Sequence, residues 1–334
     1  MFYHRSIIQL MQEKDEPENE LRAFESLSPE LVNKIGRFLK KDRVAGNSFV
    51  ETCSLFYNYS QGERLRTSLS GYIINGNQVK AKEILDMYPH LMLERGTIKD
   101  RSGRLFRNIT VWEYILWALD VRYMGKMILD CLPLNEEGDR MAKKLLVLFN
   151  RVEAKGISFE LNGHHYLQQH HYDFFIIQAL SYFIDNYKQW DLKQRTKIWC
   201  QVVGMAQFEL PAHIAQHYCD PSIPFYPLPK FDAETFNRTL MFRKNYTEKY
   251  FCWWCGVASV EHRLGINIAI YRKSSPRMAV GISESFELTY GVLRNNVQAL
   301  TGLRDQRMAD SDMLKKNLLE RIQQNSGQRV ALYP

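Results

Sequence analysis

The sequence predicts a mostly α chain with a small β element, and three features of it carry that expectation. Apolar residues recur at helical spacing along most of the length. Several of these stretches are short and closed by Asn-Gly or Pro, as at Asn75-Gly76 and Pro89. A single stretch, Gly265 to Tyr271 (GINIAIY), reads well as a strand, with a partner expected around Phe251 to Val257.

In chain order, residues 1–23 form an N-terminal extension: a short amphipathic piece from Phe2 to Met11, then the linker-like EKDEPENE. Ser28 is a good N-cap, and Pro29 sits at the first helical position, where its missing N–H costs nothing. Leu31, Ile35, Phe38 and Leu39 then make one apolar stripe. Gly46-Asn47 breaks the chain before a second stripe of Phe49, Cys53, Phe56 and Tyr57. Short helices are predicted at Ser70 to Ile74, Gln78 to Met87, Val111 to Leu119 and Val121 to Cys131, the last stopped by Pro133. A hairpin is predicted around Ser102-Gly103. Met141, Leu145, Leu148 and Phe149 mark one later helix; Ile176, Leu180, Phe183, Ile184 and Tyr187 mark another, with Asp173 as its expected cap. Four prolines between 221 and 229 enforce an extended connection. Two helices, near Ser283 to Leu300 and Asp312 to Gln324, are expected to close the fold.

Composition narrows the function. With 334 residues, 45% apolar and 24% charged, the chain matches ordinary globular protein of two or three domains. No apolar run reaches the roughly 18 residues a membrane span needs, and no secretory leader is recognisable. The six cysteines, Cys53, Cys131, Cys200, Cys219, Cys252 and Cys255, are too scattered for a disulfide framework. The net charge of +7 is spread along the chain. Its densest basic stretch, Lys99 to Arg107, reads as a solvated loop, so no nucleic-acid partner is expected.

The segment LSPELVNKIGRFLKKDRVAGNSFVETCSLFYNYS resembles the F-box. Leu27, Pro29, Glu30 and Leu31 match the opening of that motif, with the proline displaced by one place. Ile35, Phe38, Leu39 and Asp42 match its middle, and Cys53 with Phe56 its end. The interval from Leu39 to Cys53 is longer than usual, which implies a different helix junction. The resemblance implies recognition of the Skp-type linker of a Skp–cullin–F-box ubiquitin ligase, through Leu27, Pro29, Leu31, Ile35, Leu39 and Phe56. A helical unit this small cannot bury all its apolar residues alone and offers the surplus to a partner. The competing reading is a plain helical hairpin packed on the rest of the chain.

INGNQVKAKEILDMYPHLML resembles an ankyrin helix pair, and TVWEYILWALD resembles the first helix of a next unit, with Thr110 at the ankyrin Thr-Pro-Leu-His position. The interval between them exceeds the roughly 33 residues of a regular repeat, and the excess falls in the loop with DRSGRLF. The loop residues Lys99, Asp100, Arg101, Arg104 and Arg107 are then the candidate target-binding set. The alternative is that Asp100 and Arg104 pair to fix the hairpin. An F-box followed by ankyrin-like pairs is similar to effectors that intracellular bacteria such as Legionella inject into host cells. DRSGRLFRNIT, WALD and VGMAQFELPAHIAQHYC add to that likeness. It implies delivery by a type IV system into host cytoplasm, and apolar Leu332 near the end fits such a signal.

Other constellations in the sequence bear on chemistry. Cys252-Trp-Trp-Cys255 has zinc or redox spacing, and His213 and His217 lie one helical turn apart, but order and spacing match no common zinc module. The two tryptophans favour a packed site, so no metal and no cofactor is expected. His164, His165, His170 and His171 are read as packed or solvent-facing at the entry to an apolar helix, over a metal cluster or pH switch. No hydrolase elbow, phosphate loop or dinucleotide fingerprint occurs, and no catalytic residue is assigned.

The expected organisation is an extension (1–23), an F-box (24–62), ankyrin-like helix pairs (63–133) and a mainly helical target-binding domain (134–334). The expected function is an adaptor that recruits an unidentified, host-type protein to a cullin-type ubiquitin ligase. Two other classes stand beside it: a helical-repeat effector with no ubiquitin role, and an enzyme with an unrecognised site in 134–334.

Overall fold

The computed structural model describes residues 54–161, 163–170, 172–219, 227–232, 241–243, 250–252 and 286–330. The chain divides into two compact units, Met1–Ser68 and Leu69–Pro334. Leu27, Pro29, Leu31, Ile35 and Leu39 lie outside the described residues. Phe56 falls on the first described helix, α1 (Ser54–Ile74).

The Leu69–Pro334 unit is mostly helical with a small antiparallel sheet. Leu69 and Ile73 bury the last turns of α1. Gly76, at φ 74°, turns the chain in a conformation that residues with a Cβ avoid. Asn77 then caps α2 (Gln78–Met87) by accepting the Lys80 N–H at 3.1 Å. Ala81, Ile84 and Leu85 form its buried stripe, and Pro89 opens a 3-10 turn.

The sheet has the order β1 (Gly96–Lys99), β2 (Leu105–Ile109), β3 (Ile157–Leu161), β4 (His164–Gln169). It takes two strands from each side of Pro133, so the expected 133/134 boundary falls within one packed unit. Ile98, Phe106, Phe159 and Leu161 are buried, and Phe106 and Phe159 pack on Trp117 of α3 (Val111–Trp117), all seven of whose residues are buried. Phe106, Trp117 and Phe159 form an aromatic cluster with centroids 4.7–5.5 Å apart. The Trp112 indole N–H donates to the Leu145 carbonyl at 3.0 Å.

After α3 come a π-turn (Val121–Gly125) and α4 (Lys126–Asp130). The amphipathic α5 (Glu136–Lys155) buries Met141, Leu145, Phe149 and Val152. Four helices follow β4: α6 (Phe175–Asn186), α7 (Leu192–Ile198), α8 (Gly204–Glu209) and α9 (Ala212–Cys219). Two short strands, β5 (Met241–Arg243) and β6 (Tyr250–Cys252), pair antiparallel. The α10 helix (Phe286–Val330) packs against α5, α6 and the π-turn. Gly125 permits that approach: a Cβ there would lie 2.8 Å from Leu314 Cδ2.

Two expectations are corrected. The closing segment is one helix, not two: α10 runs unbroken across 301–311, between the two expected helices. Asp173 does not cap α6; the N-cap is Phe174, in a left-handed conformation at φ 47° with no side-chain cap. The histidine-rich run stands just before α6, as expected; its first part forms strand β4, paired to β3, with His164 and His165 exposed. The strand expected at Gly265 to Tyr271 lies outside the described residues.

Candidate functional site

The β1–β2 hairpin sorts the five charged loop residues into two groups. Asp100 and Arg104 are buried, whereas Lys99, Arg101 and Arg107 are exposed. The turn is built on the Asp100 carboxylate, which accepts the Ser102 N–H and the Arg104 N–H, each at 2.9 Å, and the Ser102 hydroxyl at 2.5 Å. The Ser102 oxygen in turn accepts Arg104 Nη1 at 2.7 Å, so one hydroxyl bridges the two charges. The Arg104 guanidinium lies over Trp117 and Phe159 at 5.6 and 5.2 Å.

Burial pushes the Asp100 carboxyl above its ordinary range, against the opposing pull of Arg104 and Ser102. Burial likewise lowers Arg104, against the Asp100 charge. A cavity of about 20 Å³, the size of one water, is lined by Arg104, Phe159, Tyr166 and Glu209 among others. Burial raises the Glu209 carboxyl there, and Arg104 opposes the shift. This interior is a structural lock rather than a contact surface.

The outward charges are held differently. The Arg101 Nε donates to Asn75 Oδ1 at 2.8 Å, tying the hairpin tip to the α1–α2 turn. Arg107 pairs with Glu160 at 3.1 Å on the open face of the sheet. Sequence reasoning missed a third arrangement, at the base of the hairpin. Thr110 and Glu113 form a capping box: Thr110 Oγ1 accepts the Glu113 N–H, and the Glu113 carboxylate accepts the Thr110 N–H. That buried carboxylate also receives Arg95, at 3.3 Å, and Arg151. Arg95 additionally donates to the Asn108 carbonyl. Burial, and secondly the charge of Arg95, lowers the Arg151 guanidinium. The Thr-x-x-Glu spacing before an apolar run was the available signal.

The zinc candidates separate too. His213 and His217 are buried on α9, and His217 Nδ1 sits 2.9 Å from Arg307 Nη2. A guanidinium at that distance opposes a second cation on the same ring. Cys252 lies on β6, and Cys255 is outside the described residues. Among the described residues no three His, Cys, Asp or Glu side chains are grouped to hold a metal. Cys131 is buried, its Sγ 3.8 Å from Met127 Sδ, and burial pushes its thiol up to about 11. Among the described residues no helix is long and apolar enough to cross a membrane.

Residues 175–318, from α6 into α10, match a protein-family profile described as the CBUA0006 C-terminal domain. Over 271 residues the chain is 30% identical to a Coxiella burnetii (strain RSA 493 / Nine Mile phase I) protein named Uncharacterized protein CBUA0006, which covers 77% of this chain and 76% of that relative. No solved structure matches.

Proposed function

We propose that this chain, which belongs to the family of the Coxiella burnetii protein CBUA0006, is an F-box adaptor for a cullin-type ubiquitin ligase. In this reading Leu27, Pro29, Leu31, Ile35, Leu39 and Phe56 dock on the Skp-type linker. The Leu69–Pro334 unit holds the protein to be ubiquitinated, and a type IV system delivers the chain to host cytoplasm. The observation that carries the proposal is the division of the chain at Ser68/Leu69. It leaves the whole F-box-like segment in one unit and the sheet with its helices in the other, as a bivalent adaptor requires. A buried Leu or Ile contributes roughly 1.5–3 kcal/mol, so a handful of exposed apolar residues supports a stable interface after association costs.

The test is capture of purified Skp-type linker by the full chain. Leu27→Ala with Pro29→Ala abolishes capture and leaves the melting temperature of the chain unchanged within a few degrees. Undiminished capture in that double variant, or none by the wild-type chain, removes the proposal.

A further inference from the structure

We propose that Arg95 and Arg151 form a carboxylate-binding site that engages an Asp or Glu side chain of an acidic segment in a partner protein. It rests on reading the Leu69–Pro334 unit as the part that binds a target. Glu113 is 3% exposed, while the side chains of Arg95 and Arg151 are 36% and 44% exposed. The carboxylate is therefore beneath and the two guanidinium groups are open to solvent.

Two positive groups on one negative group leave one positive charge over. Arg151 makes its ion pair with Glu113, and its other N–H donors have no partner among the described residues. Arg95 is oriented from its far side by the Asn108 carbonyl. Both forks are thus held in place before a ligand arrives, which reduces the ordering cost of binding. Burial chiefly, and secondly the like charge of Arg95, lowers the Arg151 guanidinium.

The balance of charge selects the ligand. A carboxylate carries a single charge and cancels the surplus. A phosphate monoester carries about −1.5 to −2 at neutral pH and would set excess negative charge beside the buried Glu113. Arginine forks also match the planar carboxylate in bidentate fashion, as a lysine ammonium does not. The open position of the pair suits a side chain on an extended segment, whose backbone need not enter the protein.

The experiment uses the full chain and a fluorescent, C-terminally amidated peptide rich in glutamate, read by anisotropy at low salt. Arg151→Gln weakens binding about tenfold, Arg151→Lys less, and Lys193→Gln with Lys197→Gln, exposed on α7, leaves it unchanged. Arg95 remains on Glu113 in both Arg151 variants, so the fold persists, which a thermal melt verifies. No saturable binding by wild type, equal loss in the α7 variant, or stronger competition by inorganic phosphate than by glutarate overturns the proposal. Linker capture is unaffected by Arg151→Gln. Loss of linker capture in the F-box variant with peptide binding intact, or the converse, tells the two readings apart.

Discussion

His217 Nδ1 and Arg307 Nη2 meet at 2.9 Å inside the protein, joining α9 to α10 across 90 residues of sequence. Tyr123 of the π-turn lies under the same guanidinium at 5.1 Å, and Phe231 stands edge-on to the imidazole at 5.2 Å. Two helices and two connecting segments thus converge on one buried arginine. Arg307→Ala removes that hydrogen bond and leaves His217 beside a void, and the loss is expected to cost about 1.5–3 kcal/mol, the range for a hydrogen bond to a charged group. Arg307→Met, which keeps much of the packing bulk, costs less. Urea denaturation of both variants measures the difference, and equal effects would mean that packing bulk contributes little and the lost polar contact with His217 accounts for the cost.

The Glu209 carboxyl is raised from its ordinary 4.5 by burial. A carboxyl raised in the folded state favours folding when protonated. Its contribution is therefore full below the unfolded value and is lost as pH rises through the folded value. Relative to wild type, Glu209→Gln should become more stabilising on passing from pH 4 to pH 7. Melting temperatures across that range test the sign, and parallel curves for the two proteins would refute it.

Cys131 carries a thiol pushed up to about 11 by burial. Thiolate is the reactive form, so Cys131 should resist alkylation at pH 8 in the native chain and react once urea unfolds it. Peptide mass spectrometry of iodoacetamide-treated protein locates the modification. Rapid native labelling at Cys131 would contradict the burial.

Much of this architecture was legible because local chemistry and packing agree. The α2 helix runs from Gln78 to Met87 as its spacing predicts, capped by Asn77 and followed by Pro89. The stripe Ile176, Leu180, Phe183, Ile184, Tyr187 is buried throughout. What escaped was polar chemistry turned inward. The polar stretch TGLRDQRMADS at 301–311 carries little apolar signal between the two spans read as helices, yet α10 runs through it and Arg307 within it is buried. β4, with the burial of an edge strand, shows no alternation, and only its pairing with β3 identifies it. At the hairpin, Arg104 stands two residues before buried Phe106 and so shares its face, a register that already directed it inward. The Arg95–Glu113–Arg151 cluster joins three distant positions. Sequence could reveal the Glu113 cap but not the two arginines that fold onto it.

The approach of α10 to the π-turn gives the last expected outcome. Gly125 lies where a Cβ would sit 2.8 Å from Leu314 Cδ2 and 3.6 Å from its Cδ1, with Ile115 Cγ2 at 3.7 Å. Leu314 is 3% exposed and Ile115 fully buried, so neither has open space to retreat into. Gly125→Ala therefore overpacks the contact and should destabilise the chain by about 1–3 kcal/mol, even though alanine favours helical backbone. Leu314→Val alone removes a methylene and should cost about 1 kcal/mol through the gap it leaves. If the two side chains compete for the same volume, the double variant is more stable than the sum of the single effects predicts, with a coupling of roughly 0.5–3 kcal/mol. Equilibrium unfolding of the four proteins closes the cycle. Strict additivity would mean that α10 shifts along the π-turn to admit the methyl group, and that Gly125 is not what sets their separation.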